Sequence, residues 1–169
     1  MRKMSAAAAM TLAALPVSAA LAPGAKAPDF ATRGAIAGKV IEVRLARELK
    51  KGPLVLYFFP AANTGGCDIE AKAFADAIGD FRKFRANVIG MSTDSVDTLK
   101  VFSAGKCAGK FPVASAGPRV VAGYDVDYGK PVPINGGPPR QITKRVSYVI
   151  TPDGKIFYAH SGGDPLPHV

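Results

Sequence analysis

Six consecutive apolar residues, Leu54 to Phe59, stand between Pro53 and Pro60. A run this short and this uniformly apolar reads as a strand buried on both faces, in a sheet covered by helices on each side. Asn63-Thr64-Gly65-Gly66 follows as a turn. Helical periodicity then runs from Cys67 to Phe84. Phe74, Ala77, Ile78 and Phe81 fall on one face, with Lys72, Asp76, Asp80 and Lys83 elsewhere. A cysteine thus stands where a buried strand hands over to a helix.

The remaining chain supplies a sheet and cover for that unit. Thr32 to Leu45 alternates loosely around Gly34 and Gly38, which predicts a β-hairpin near the N-terminus. Leu45 to Lys51 reads as a short helix stopped by Gly52-Pro53. Asn87 closes the long helix, and Val88 to Met91 is a second buried strand. Asp94 or Ser95 caps a helix through Leu99 and Phe102 that frays at Gly105. Phe111 to Ala114 is a short strand candidate, and Pro118 to Tyr124 one or two helical turns. Asp125 to Thr143, rich in Gly and Pro, reads as a surface loop. Arg145–Thr151 and Lys155–Ser161 form a hairpin across Pro152-Asp153-Gly154. This order predicts an α/β fold with a mixed central sheet flanked by helices.

The first 19 residues read differently. Met1-Arg2-Lys3 is a short basic region, Met4 to Leu15 is apolar, and Val17-Ser18-Ala19 offers small residues to a signal peptidase. Residues 1–19 are therefore expected to be a signal peptide and residues 20–169 a single domain, periplasmic or secreted, with no stable membrane insertion after cleavage. Cleavage after Ala19 removes two of the nine net positive charges. The rest are scattered in short clusters such as Lys50-Lys51 and Lys144-Arg145, without interleaved aromatics, so a nucleic-acid partner is not expected. Two cysteines and two histidines, at His160 and His168, do not supply a four-ligand zinc spacing, and neither metal nor cofactor is expected.

The chemistry concentrates at Cys67. The first N–H groups of a helix point outward from its N-terminus, and the dipole there favours negative charge. Thiolate is the form of cysteine that reacts, and a free thiol is only a few per cent ionised near pH 7. Ionisation alone gives modest catalysis, so a fast cysteine enzyme also needs donors aimed at the charge developing on its substrate. The Thr64 hydroxyl and the backbone N–H groups of Gly66 and Cys67 can face the same space. A cation should complete the set.

Pro60, Thr64 and Cys67 fit the pattern Pro-x-x-x-Thr-x-x-Cys position by position. With Glu70 just inside the helix, the run Gly90-Met91-Ser92-Thr93-Asp94-Ser95, and the lead-in Gly24 to Phe30, the chain resembles the peroxiredoxins. The similarity covers about Gly24 to Val169 and is nearest the bacterioferritin-comigratory, or Q-type, branch. It implies a thioredoxin-like fold and reduction of hydrogen peroxide or organic hydroperoxides, at the expense of a thiol reductant such as a thioredoxin-like protein. It implies that Cys67 is the peroxidatic cysteine and becomes a sulfenic acid. Arg145, opening the strand before Asp153-Gly154, sits where the family carries its active-site arginine. By the same resemblance Thr64 and Arg145 orient the peroxide, Glu70 holds the arginine, and Pro60 shields the sulfur from water. Gly65 departs from the proline that family members often carry there. The family usually continues past the position of His168-Val169 into a C-terminal helix. A monomer or weak homodimer is expected.

Many Q-type members carry a resolving cysteine five residues after the first; here that position is Lys72. Cys107 is then the candidate resolving residue, forming an intramolecular disulfide with Cys67 after both segments unwind enough to meet disulfide geometry. Two alternatives stay open. One is a permanent Cys67–Cys107 disulfide in an exported binding module, worth roughly 4 kcal/mol for a loop of about 40 residues. The other is a one-cysteine peroxidase recycled by an external thiol. A thioredoxin-type oxidoreductase is disfavoured, because Thr64 replaces the first cysteine of Cys-x-x-Cys. Asp94 is expected to be a helix cap, His160 a packed or exposed strand residue, and Tyr57 and Tyr148 core aromatics.

Overall fold

A computed structural model describes residues 20–169; the signal-peptide expectation for residues 1–19 lies outside them. Ala31–Ile36 (β1) and Lys39–Arg44 (β2) form the expected hairpin, followed by a short helix, Leu45–Leu49 (α1). Leu54–Phe58 (β3), Gly65–Lys83 (α2) and Asn87–Ser92 (β4) follow as the strand–helix–strand unit. Val96–Gly105 (α3), Val113–Ser115 (β5) and Pro118–Gly123 (α4) come next. A small ribbon, Val132–Pro133 (β6) with Pro139–Arg140 (β7), precedes the last hairpin, Val146–Ile150 (β8) and Ile156–Ser161 (β9). Seven strands make one mixed sheet in the order β2-β1-β5-β4-β3-β8-β9. The parallel pairs are β3–β4 and β4–β5, and the outer pairings are antiparallel.

All five residues of β3 are buried, as a strand covered on both sides requires. Because successive side chains alternate between faces, β3 feeds two cores. Leu54, Leu56 and Phe58 pack with Ile89, Met91, Tyr124 and Tyr148 on one side. Val55, Tyr57 and Phe59 pack on the other with Phe74 of α2 and Leu99 and Phe102 of α3. The second core carries both cysteines. Its centre is an aromatic stack, with the Tyr57 ring 4.2 Å from Phe74 and Phe59 5.3 Å from Phe102.

Several boundaries differ from the sequence expectation. Gly34 is not a turn residue: it lies inside β1, where a Cβ would stand 2.3 Å from the Val113 carbonyl oxygen of β5. The reversal is made by Ala37 and Gly38, both at positive φ, between the paired Ile36 and Lys39. Gly65 and Gly66 belong to α2, not to a turn before it. The buried stripe of that helix runs through Cys67, Glu70, Ala71, Phe74, Ala75 and Ile78, with Ala77 and Phe81 at its margin. Asn87 opens β4; the left-handed residue that ends the preceding turn is Arg85. Strand β5 begins at Val113, two residues later than expected, because the Phe111 side chain turns into the second core. The Gly- and Pro-rich segment from Asp125 to Thr143 contains the β6–β7 ribbon.

Gly90 shows how tightly the second core is filled. A Cβ there would lie 2.7 Å from the Tyr57 ring and hydroxyl, inside contact distance. Overpacking of this kind costs about 1–3 kcal/mol. Gly90→Ala should therefore lower stability by about that amount in urea denaturation, and an unchanged midpoint would show that the stack has slack.

Candidate active site

The chain leaves β3 at Phe58 and is pinned over the next six residues. Thr143 Oγ1 donates to the Phe59 carbonyl at 2.8 Å, and Ala62 N–H donates to Asp94 Oδ2 at 2.8 Å. Thr64 Oγ1 donates to the Ala61 carbonyl at 2.8 Å, and Asn135 Nδ2 donates to the Asn63 carbonyl at 3.2 Å. Asn63 itself takes a left-handed conformation, φ 60°. Thr64 is the N-cap residue of α2 through its backbone: its carbonyl accepts from Asp68 N–H at 2.9 Å. Cys67 is therefore the third residue of the helix, buried, with its sulfur at the helix N-terminus.

The expected cation is in place. Arg145 immediately precedes β8, and its Nη2 donates to Cys67 Sγ at 3.5 Å. Nη1 donates to Glu70 Oε2 in a buried ion pair, and Nε donates to the Gly163 carbonyl at 3.3 Å. Glu70, one turn after Cys67, is wholly enclosed, and Arg145 is only 8% exposed. Burial pushes the Glu70 carboxyl up to about 8, against the opposing pull of Arg145. A protonated Glu70 still accepts from Nη1 through an oxygen lone pair. It then leaves the guanidinium charge uncompensated beside the sulfur. A Cβ on Gly66 would come within 3.2 Å of Arg145 Nη2, so glycine here leaves the guanidinium its room.

A cavity of about 330 Å³ lined by Pro60, Tyr128, Lys144, Arg145, Ser161, Gly162 and Gly163 borders the site at Arg145. A larger cavity, about 620 Å³, lies between Pro28–Thr32 and α4 and shares no residue with the site. We assign substrate access to the smaller one, because it alone of the two includes Arg145. Pro60 forms part of its wall. The Thr64 hydroxyl proton is engaged by Ala61, which leaves its oxygen lone pairs free to accept. Among the described residues there is no cluster of three or more His, Cys, Asp or Glu side chains suited to a metal.

Cys107 lies just beyond α3, fully buried in the same core as Cys67, and both thiols are free. Burial, with a smaller contribution from Asp68, pushes the Cys107 thiol up to about 12. A tight turn follows it, with Ala108 and Gly109 both left-handed and Gly109 N–H donating to the Ser103 carbonyl at 2.9 Å. Lys106 Nζ pairs with Asp68 Oδ2 at 2.8 Å. Each partner of this bridge is the chain neighbour of a cysteine.

Asp94 is not the helix cap. Ser95 caps α3, accepting from Thr98 N–H at 3.2 Å. Asp94 is a buried knot instead. Besides Ala62 N–H it accepts from Ser92 Oγ at 2.7 Å and from Arg140 Nη2 at 2.5 Å. Arg140 and Asn135 come from the segment read as a surface loop, which here braces the turn before Cys67. The available clue in the sequence was position: Asp94 follows a strand end on the sheet edge where α/β sites gather. Arg140 and Asn135 carried no local signal.

Comparison with known proteins finds one family throughout. The model of the AhpC/TSA family matches residues 23–159. A Mycobacterium tuberculosis protein named "Putative peroxiredoxin MT2597" is 34% identical over 155 residues, covering 88% of this chain and 90% of that one. Among solved structures, the peroxidoxin BcpB of Mycobacterium tuberculosis superposes with a TM-score of 0.73 at 30% identity, over 86% of this chain and 90% of that one. A cysteine-to-serine mutant of Xanthomonas campestris peroxiredoxin Q gives a TM-score of 0.65 at 27% identity, over 80% of this chain and 83% of that one.

The buried Glu70 has a measurable signature. Its carboxyl is raised from an ordinary value near 4.5 to about 8 in the folded chain. Between those two values the native state keeps a proton that the unfolded state has lost, so this group's contribution to stability is full below about pH 4.5 and falls as pH rises to about 8. Urea denaturation across that window should show a flatter profile for Glu70→Gln than for the parent chain. Parallel profiles would mean that Glu70 is already ionised throughout.

Proposed function

The chain belongs to the AhpC/TSA family and is a thiol-dependent peroxidase, and on that premise we propose that Cys67 is the peroxidatic residue. The observation that carries this reading is the Arg145 guanidinium 3.5 Å from the Cys67 sulfur, held there by a buried glutamate. The thiolate attacks the nearer oxygen of a hydroperoxide. An S–O bond forms, the O–O bond breaks, and the departing oxygen leaves with the electron pair and takes a proton to become water or an alcohol. Cys67 is left as a sulfenic acid. Arg145 has N–H groups to spare for the charge growing on the leaving oxygen, the kind of preorganised stabilisation that dominates such steps. Thr64 complements it. Its proton is given to Ala61, so its oxygen is available to accept the peroxide O–H. Pro60 limits water at the mouth of the cavity.

Cys107 is the resolving residue in this reading. Its sulfur displaces the sulfenic oxygen as water and a Cys67–Cys107 disulfide forms, which an external dithiol reduces. The thiol is buried and its ionisation suppressed, so the 106–109 turn and the first turn of α2 open together, and the Asp68–Lys106 bridge parts. We further propose that residues 1–19 direct export and are removed, so that the working enzyme is periplasmic or secreted. The basic region, apolar stretch and small-residue site support this.

Peroxide consumption by the fully reduced chain tests the assignment. Cys67→Ser should lose the fast reaction entirely, and Arg145→Ala should slow it about 100- to 1,000-fold, the usual cost of one preorganised donor. One peroxide should be consumed per chain without added thiol. A non-reducing gel should then show an intramolecular disulfide that is absent in Cys107→Ser. Stable sulfenic acid in both the parent and Cys107→Ser would instead establish a one-cysteine enzyme.

A further inference from the structure

Arg145 has a third anchor besides Glu70 and Cys67, and it is the least secure by composition. Its Nε donates to the Gly163 carbonyl, in a Gly162-Gly163 turn that follows the end of β9 at Ser161. Glycine offers no side chain to pack and the widest backbone freedom, so two in succession do not hold a carbonyl in place by themselves. Gly162 N–H donates to the Arg145 carbonyl at 3.3 Å, and His168 supplies the side-chain restraint on the turn. Its ring is 5% exposed and bridges two parts of the structure. One nitrogen, Nε2, lies 3.2 Å from the Gly162 carbonyl oxygen; the other, Nδ1, lies 3.0 Å from Ser147 Oγ of β8, itself 5% exposed. A carbonyl oxygen only accepts, so Nε2 carries the hydrogen and Nδ1 accepts from the Ser147 hydroxyl. His160 packs against the ring at 4.5 Å in an edge-on arrangement.

We propose that His168 is a positioning residue for Arg145: its ring braces the Gly162–Gly163 turn, whose Gly163 carbonyl sets the guanidinium against the Cys67 sulfur. The inference rests on the roles given above to Cys67 and Arg145. The groups facing His168 are His160, Arg145, Asp164 and Ser147. Burial, aided by the nearby His160 and Arg145, holds the imidazole down at about 4, so the ring is neutral at physiological pH and places no second cation beside Arg145. The stretch matched by the family model ends at residue 159, so Gly162, Gly163 and His168 lie beyond it while Ser147 lies within it. Loss of the brace leaves Glu70 holding one edge of the guanidinium while the Nε edge swings. A misplacement of about 1 Å in a group that orients a substrate costs on the order of 100-fold in rate.

The test compares two reactions of Cys67 in the full, reduced chain. One is hydrogen peroxide reduction, which uses the placement of Arg145; the other is alkylation by monobromobimane followed by mass spectrometry, which makes no demand on peroxide orientation. His168→Ala should slow the peroxide reaction about 10- to 100-fold and change alkylation less than about threefold. His168→Gln, whose side-chain amide can still donate to Gly162, should recover most of the loss. In an Arg145→Ala background His168→Ala should have no further effect, since two residues acting through one group are not additive. Where His168→Ala does not fold, His168→Met and His168→Gln give the same contrast, one filling the space without a donor and the other with it. An additive loss in the Arg145→Ala background, an equal loss in both reactions, or a parental peroxide rate in a folded His168→Ala or His168→Met overturns the proposal. A parental peroxide rate in Cys67→Ser or Arg145→Ala overturns the site reading itself, and the brace with it; this is distinguishable because it appears in chains that retain His168.

Discussion

Glu70 and Arg145 lie against each other beneath the surface, and much of the surrounding structure answers to that contact. Removing a carboxylate and a guanidinium from water costs several kcal/mol each, and mutual attraction offsets this only when the remaining donors and acceptors are also satisfied. Here the remaining partners are few and fixed. Arg145 commits Nη2 to a sulfur and Nε to a carbonyl, and Glu70 Oε1 has no hydrogen-bond partner among the described residues. A stability-driven core would have put apolar residues at both positions. The pair is better understood as a device that keeps a cation where water would otherwise disperse its field, directed at the one sulfur on the adjacent helical turn.

The sheet makes that contact possible. Arg145 and Cys67 are 78 positions apart in the chain, and they meet because β8 lies beside β3 in antiparallel register, with Phe58 opposite Val146. The residue preceding β8 and the loop following β3 therefore leave the sheet at the same edge. Asp94 leaves it there too, after β4, which runs parallel to β3. Its carboxylate gathers Ala62, Ser92 and Arg140, and so ties the turn before Cys67 to the β6–β7 ribbon. Three strand ends thus fix the main chain between Phe59 and Thr64, while the helix starting at Gly65 fixes the sulfur.

What the sequence disclosed follows the range of the interactions. The β3 run, the helix behind it and the spacing of Pro60, Thr64 and Cys67 are local patterns, and they were legible. Glu70 was legible in position, one turn beyond Cys67. Arg145 could be named only through resemblance to a family, since nothing within ten residues of it points to a sulfur. Asp94 looked like a cap because an acidic residue before a helix usually is one; two of its actual partners stand 32 and 46 positions away. Gly34 looked like a turn residue for a similar reason, although the backbone that excludes a side chain there belongs to β5. His168 carried no pattern at all. Its role depends on Ser147 and on a diglycine that, read alone, is only a flexible tail.

The placement of Cys107 sets two requirements against each other. Packing wants a small apolar group under α3, and a protonated, fully enclosed thiol serves that purpose. Disulfide chemistry wants a sulfur that can approach another and ionise. The turn after α3 reconciles them. It holds two successive left-handed residues, one of them alanine, which carries a conformational penalty that glycine does not. Its neighbour Lys106 is tied to α2 by a half-exposed ion pair, and such pairs contribute at most about 1 kcal/mol. Local opening of that turn therefore costs little compared with unfolding the core beneath it. In the two-cysteine route, the resting protein keeps Cys107 inert inside the core and releases it through the weakest part of its cover. Formation of the sulfenic acid enlarges Cys67 in a space already closed by Arg145, which works against the packed arrangement and toward the open one.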